Sequence, residues 1–194
     1  MDAQFAITGR DFAISVTDTN VTRSILKMKH NKDKTWQLTP YTMMTVTGAA
    51  GDIDPFSEYI QGNVKLYSVR NAQDLTPKEV ANFIRAELAG ALRTRGASQV
   101  NILISGYDKT TGEASLYWID YLGTMAKVPF GSHGAPSYIL YSVFDKEYKP
   151  DITLEEGLEI VRKCVSALKT RFLADMPTYI VKVVDAQGTR AIDI

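Results

Sequence analysis

Two amphipathic helix pairs, set between runs of strands joined by short turns, constrain this chain more than any other feature. One helix opens at Thr76-Pro77-Lys78-Glu79, an N-cap threonine with proline at the first helical position and a capping-box glutamate. Val80, Ile84, Leu88 and Leu92 form its expected buried row, and Arg93, Arg95 and Gly96 close it as the helix dipole prefers. A second box, Thr153-Leu154-Glu155-Glu156, opens a helix carrying Leu158, Val161, Val165, Leu168 and Phe172. Each has a companion. Gly48-Ala49-Ala50-Gly51-Asp52 leads into a helix with Asp52 as the expected N-cap and Phe56, Ile60, Val64 and Tyr67 at helical spacing. The other companion is predicted from about Ser137 to Asp145.

The strands lie around these pairs. Ala3, Phe5 and Ile7, then Phe12, Ile14 and Val16, alternate with polar or small residues, as strands with one inward face do. A two-residue turn fits at Gly9-Arg10 or at Arg10-Asp11. The first register puts Met1 opposite Asp18 and the second puts Ala3 there, so Asp18 returns to the start of the chain either way. After a polar loop over residues 19–33, strands are expected at Thr35 to Leu38 and Thr42 to Thr47, around a turn at Thr39-Pro40-Tyr41. Further strands follow at Gln99 to Tyr107, Ala114 to Asp120 and Met125 to Val128, with a turn at Asp108 to Gly112. Residues 178–184, TYIVKVV, read as a buried strand before a turn at Asp185 to Gly188.

Connections of hairpin length make the sheets mainly antiparallel. Two helix pairs need two apolar surfaces. The arrangement that supplies them is α+β, a four-layer αββα sandwich of two sheets flanked by helix pairs. A single sheet with every helix on one face is the alternative. At 194 residues the chain is read as one domain, 1–194, large enough to bury roughly 70% of its unfolded surface.

Composition removes several functions. Lys+Arg and Asp+Glu both number 22, so no basic excess points to nucleic acid or to an anionic membrane. Neither an apolar signal region nor eighteen consecutive apolar residues is found, so no secretion signal or membrane span is expected. One cysteine forms no internal disulfide, which suits a reducing compartment, cytoplasm or nucleus. Two histidines and one cysteine nearly exclude a Cys/His zinc site and leave no metal or other cofactor to expect. Cys164 falls in the helical row Ile160, Cys164, Leu168 and reads as packing, with a reactive thiol as the alternative. His30, among Lys27, Lys29, Lys32 and Lys34, reads as solvated. His133, in Gly131-Ser132-His133-Gly134, reads as a loop histidine with one local hydrogen bond, the sharper alternative being a general base. TGAAGD lacks the lysine of a P-loop and the spacing of a dinucleotide fingerprint. Its glycines read as close backbone packing, or else as an N–H at Gly48 aimed at an oxyanion.

The whole chain resembles a known family. The strand pair ending in Asp18, Lys34 sixteen positions later, and KTWQLTP leading to TGAAGD are similar to proteasome beta subunits. The resemblance continues through SEYIQGNVKLYSVRN, LTPKEVANFIRAEL, QVNILISGYD, LYWIDYLGTMAKVPFGSHG, EEGLEIVRKCV and PTYIVKVVD. It is nearest to the eukaryotic class at the beta-4 position, beta type-2 in mammals, and implies an Ntn-hydrolase-like fold. In catalytic members the nucleophile is an N-terminal threonine whose own α-amine serves as base, with a lysine–aspartate pair setting the local charge. Residue by residue, the resemblance implies that Asp18 matches the aspartate, Lys34 the lysine, Gly48 the oxyanion glycine and Ser132 a supporting serine.

The nucleophile's place falls at Asp2, where a carboxylate is a poor nucleophile toward amides. Met1 before it would leave no free α-amine, no pro-segment ending in Gly-Thr is seen, and Phe172-Leu173-Ala174-Asp175 does not reproduce the family's second acid and serine. The resemblance therefore implies a non-catalytic, structural subunit of the 20S core with a vestigial site at Asp2, Asp18, Lys34, Gly48 and Ser132. Its implied partners are other beta subunits and alpha-ring subunits in stacked seven-membered rings, with no nucleic acid and no membrane. Two rivals stay open: an active threonine peptidase trimmed to expose Thr17, and a free-standing α+β binding module.

Overall fold

The computed structural model describes residues 2–23 and 26–194. Met1, and with it the expectation about a blocked α-amine, lies outside them. The chain opens with β1 (Gln4–Thr8) and β2 (Ala13–Asp18), paired with Gln4 opposite Thr17 and Thr8 opposite Ala13. This is the register with the turn at Arg10-Asp11. It sets Ala3 beside Asp18, whose N–H reaches the Ala3 carbonyl at 3.0 Å.

Residues 19–33, expected to be loop, instead hold a small hairpin, β3 (Val21–Arg23) and β4 (Leu26–Lys29). All four β4 residues are exposed, so the strand has no buried face and no period-two signal. Next come β5 (Thr35–Thr39), β6 (Thr42–Gly48), α1 (Ala50–Asn71) and α2 (Pro77–Ala91). β7 (Val100–Asp108), β8 (Glu113–Ile119), β9 (Met125–Lys127) and β10 (Phe130–His133) follow. α3 (Ser137–Glu147), α4 (Leu154–Arg171), β11 (Tyr179–Asp185) and β12 (Gly188–Ile192) complete the order.

One sheet runs β10-β1-β2-β11-β12 and the other β5-β6-β7-β8-β9, and every pairing in both is antiparallel. α3 and α4 cover the first, α1 and α2 the second, which gives the four layers αββα. Strand alternation makes each outer face apolar. Phe5, Ile7, Phe12, Ile14 and Val16 pack against Leu140, Phe144, Val161, Cys164 and Leu168. Met44, Val46, Ile102, Ile104 and Ile119 pack against Ile60, Val64, Val80, Ile84 and Leu88. Each such side chain stabilises the fold by about 1.5–3 kcal/mol when fully buried. Between the sheets the layer is more polar, with Gln4, Ser15, Thr17, Thr45, Thr47 and Ser105 all buried.

Both capping boxes form. The Thr76 and Thr153 hydroxyls accept from the N–H groups of Glu79 and Glu156, whose carboxylates return to the cap N–H at 2.8 and 2.7 Å. Thr153→Ala is expected to lower stability by about 1 kcal/mol, read as a lower denaturant midpoint at unchanged slope. α1 differs from its expected start. Ala49 is the N-cap and has no side-chain bond, while Asp52 lies in the first turn and accepts from Gln99 N–H at 2.9 Å. Leu92 follows the last turn of α2 and is partly exposed, and Tyr67 is half-exposed in a groove shared with Leu75 and Phe83.

Candidate functional site

The constellation expected at the start of the chain is assembled by three elements. β2 ends at Asp18, the loop before β5 carries Lys34, and the residues leading into β1 carry Asp2. Asp18 is fully buried and Lys34 is 5% exposed. Lys34 Nζ donates to Asp18 Oδ1 at 2.8 Å, to Asp18 Oδ2 at 2.9 Å and to Asp2 Oδ1 at 2.7 Å. All three contacts are to carboxylate oxygens, with the two oxygens of Asp18 side by side on one face of the ammonium.

Two anions around one cation leave an excess negative charge, and the backbone moderates it. Ala3 N–H donates to Asp18 Oδ1 at 2.7 Å and Asn20 N–H donates to Oδ2 at 2.9 Å, both charge-assisted bonds. Asp2 is the outermost member, its side chain 21% exposed. Opposite Asp18 in the ladder stands Tyr179, whose phenol is pushed up to about 12 by burial first and then by the charges of Asp18 and Asp175.

Gly48 and Ser132 flank this cluster without joining it. Gly48 ends β6 at φ 152°, and a Cβ there would stand 2.1 Å from the Gln99 carbonyl oxygen, so close backbone approach requires glycine. Its neighbour Thr47 accepts from Gln4 Nε2 at 3.2 Å, which ties this corner to the start of β1. Ser132 is buried on β10 and donates its hydroxyl to the Gln4 carbonyl at 2.8 Å. It braces β1; no bond joins it to Lys34. A Cβ on Gly134 would lie 3.3 Å from the Asp2 carbonyl oxygen, so the Gly131–Gly134 segment does pass beside Asp2.

The region of the expected second acid points elsewhere. Asp175 sends its largely exposed carboxylate toward Lys27 at 3.4 Å, while its carbonyl accepts from Asn20 Nδ2 at 3.0 Å. No hydroxyl or thiol among the described residues is hydrogen-bonded to Lys34. Cys164 is fully buried and burial pushes its thiol up to about 12, so it is packing and inert. Among the described residues no group of three or more His, Cys, Asp or Glu side chains could hold a metal ion.

His133 departs from its expected setting. It lies on a strand, stacks on Trp118 at 4.5 Å between ring centroids, and bonds through Nε2 to the Ile102 carbonyl, 31 residues away in sequence, at 3.1 Å. Burial pulls its pKa down to about 4, so the ring is neutral near pH 7. With the folded value below the unfolded one, the unfolded chain binds the proton first. Stability is therefore lost as pH falls from about 6.5 toward 4, by roughly 3 kcal/mol from this group. A denaturation series across that window should show the fall, and His133→Gln should flatten it.

Two sheets face to face under helix pairs, with an acid–lysine pair at the end of the first hairpin, define the class as the N-terminal-nucleophile-hydrolase-like sandwich. The sequence signature described as "Proteasome subunit" matches residues 3–184. "Proteasome subunit beta type-4" of Saccharomyces cerevisiae is 45% identical over 193 residues, covering 100% of this chain and 98% of its own length. "Proteasome subunit beta type-2-A" of Arabidopsis thaliana is 43% identical over 190 residues, 98% of this chain and 92% of its own. "Probable proteasome subunit beta type-4" of Schizosaccharomyces pombe is 39% identical with both chains fully covered. The chain belongs to the proteasome subunit family, among its β-type members.

The residue that sequence reasoning undervalued is Asp2. It was expected only as an unreactive occupant of the nucleophile's place, yet it is a third member of the charged cluster. A carboxylate sixteen residues before Asp18 was the available signal.

Proposed function

We propose that this chain is a non-catalytic β-type subunit of the proteasome core, building the wall of the degradation chamber and cleaving nothing itself. One observation carries the reading: every hydrogen bond of Lys34 Nζ to the described residues goes to Asp2 or Asp18, so the lysine serves an ion cluster and meets no hydroxyl or thiol. In the catalytic members that the chain resembles, the lysine–aspartate pair sets the charge around a threonine nucleophile. A carboxylate oxygen that accepts from an ammonium at 2.7 Å has its lone pair engaged and is a still weaker nucleophile. Asp2, Asp18 and Lys34 are thus the remains of a site turned into a structural brace, with Gly48 kept by backbone packing and Ser132 by its bond to β1.

The partners of this reading are the other β subunits within the ring and α-ring subunits above it, in stacked seven-membered rings, in cytoplasm and nucleus. Support comes from the surface. Tyr59, Tyr67, Tyr121, Tyr138 and Tyr141 are exposed, with Tyr138 at 88%, and amphipathic aromatic rings of this kind anchor interfaces. Tyr107, Tyr117 and Tyr148 pack into the fold instead. The test is size-exclusion chromatography of native extract followed by subunit-resolved crosslinking. This reading expects the chain only in a high-mass peak, linked to other proteasome subunits; elution at the mass of a single chain would refute it.

A further inference from the structure

Three side-chain atoms in the layer between the sheets have no protein hydrogen-bond partner among the described residues: Gln4 Oε1, Thr17 Oγ1 and Thr45 Oγ1. All three residues are fully buried. Buried polar groups are as a rule paired with protein or with ordered water, so three orphans in one layer need a common explanation.

The strand registers pair two of them and set the third on the facing sheet. Gln4 and Thr17 are direct partners across β1 and β2, and so share a face. That face looks at the second sheet, because Gln4 Nε2 crosses the layer to Thr47 Oγ1 at 3.2 Å and the Asn101 carbonyl at 3.0 Å. The Asn101 carbonyl can only accept, which fixes the nitrogen there and leaves Oε1 as the free acceptor. Thr45 is two residues from Thr47 on β6, hence on the same inward face, and stands opposite Leu103. Farther along, Ser15 and Ser105 meet across the layer, their hydroxyls 2.7 Å apart. Ser15 is two residues before Thr17, and Ser105 is the partner of Met43, two residues before Thr45. Thr17 and Thr45 therefore sit between two cross-layer bonds.

Size decides what fills the space. Facing sheets pack about 10 Å apart, and two threonines are too short to span that gap as Met43 and Trp118 do elsewhere in the layer. We propose that this point between the sheets is a binding site for a single water molecule, held by Gln4, Thr17 and Thr45 as a fixed part of the fold. The three groups offer one amide acceptor and two hydroxyls. The water donates to Gln4 Oε1 and to one threonine and accepts from the other, the three bonds typical of buried water.

The test is a density map of the full chain, in whatever assembly it is purified, at a resolution that shows ordered water. A peak about 2.7–3.2 Å from at least two of the three atoms is expected. The same region without a peak, with the three groups paired to one another through rotated side chains, overturns the proposal. Thr17→Val and Thr45→Val supply a second readout, since each keeps the shape and removes one hydroxyl. Each should lower the melting temperature, and the double variant by less than the sum, because one water is lost only once. Shifts that add, or no shift in either single variant, also overturn it.

Discussion

Lys34→Ala is expected to lower folding stability by ~3–5 kcal/mol, because it leaves Asp18 and Asp2 facing each other with no cation between them. Against the 5–15 kcal/mol typical of a domain this is a large loss, enough to leave much of the chain unfolded at moderate temperature. The loss would come from the stranded charge more than from the pair itself, since a buried pair roughly balances its own desolvation. A second variant separates the two. Lys34→Met combined with Asp18→Asn removes both members of the buried pair, keeps the volume and leaves only the partly exposed Asp2 charged. That double variant should recover only part of the loss, because the amide of Asp18→Asn keeps one of the two backbone bonds and turns its NH2 toward the other N–H. Guanidinium titration of each purified chain reads the outcome, and peptide cleavage per assembled particle should be unchanged wherever the variant chain is incorporated. An Lys34→Ala chain that melts like the parent would remove the structural role assigned to the cluster.

Gly48→Ala is the second large effect, about 4 kcal/mol, and its cause is steric. The new methyl would lie 2.1 Å from the Gln99 carbonyl oxygen and 2.8 Å from the Val100 Cα, both backbone atoms that cannot swing aside. Residue 48 also sits at φ 152°, which an L side chain rarely adopts. Strain of ~1–3 kcal/mol joins an overpacking penalty of similar size. The repair would have to part β6 from β7 at the very corner where Ala49 N–H meets the Gln99 carbonyl at 2.9 Å. Loss of the last rungs of that ladder should be visible as faster amide exchange at Ala49 and Val100, alongside the lower denaturant midpoint.

The layers of the fold were legible because local signals agreed with one another. The boxes at Thr76/Glu79 and Thr153/Glu156 marked two helices without reference to anything distant, and both formed. The alternation through Phe5, Ile7, Phe12, Ile14 and Val16 marked the first hairpin because one face of it is buried. Where burial is absent or even on both sides, the signal fails. β4 has both faces in solvent, and β10 reads FGSH, a glycine-containing run that resembles a loop until its pairing with β1 is seen. Asp52 misled for another reason. It is a good cap by type, but its carboxylate is taken by the N–H of Gln99, 47 residues on, and no local rule foresees that bond.

The site was legible only through family resemblance. Asp18 and Lys34 lie on separate elements, and nothing in the composition of residues 19–33 brings them within 2.8 Å. The role of Asp2 was harder still. A lone acid near the start of a chain is ordinarily a solvated charge, and its bond to Lys34 depends on the β1–β2 register, which the sequence left open between two turns.

The central claim is that Lys34 holds a carboxylate brace where a peptidase would hold a nucleophile. The most direct measurement is to treat the intact particle with a covalent inhibitor that reacts with N-terminal threonine, then map the adducts by subunit-resolved mass spectrometry. The expected result is label on other β subunits and none on this chain at saturation. Stoichiometric label on this chain would contradict the claim outright.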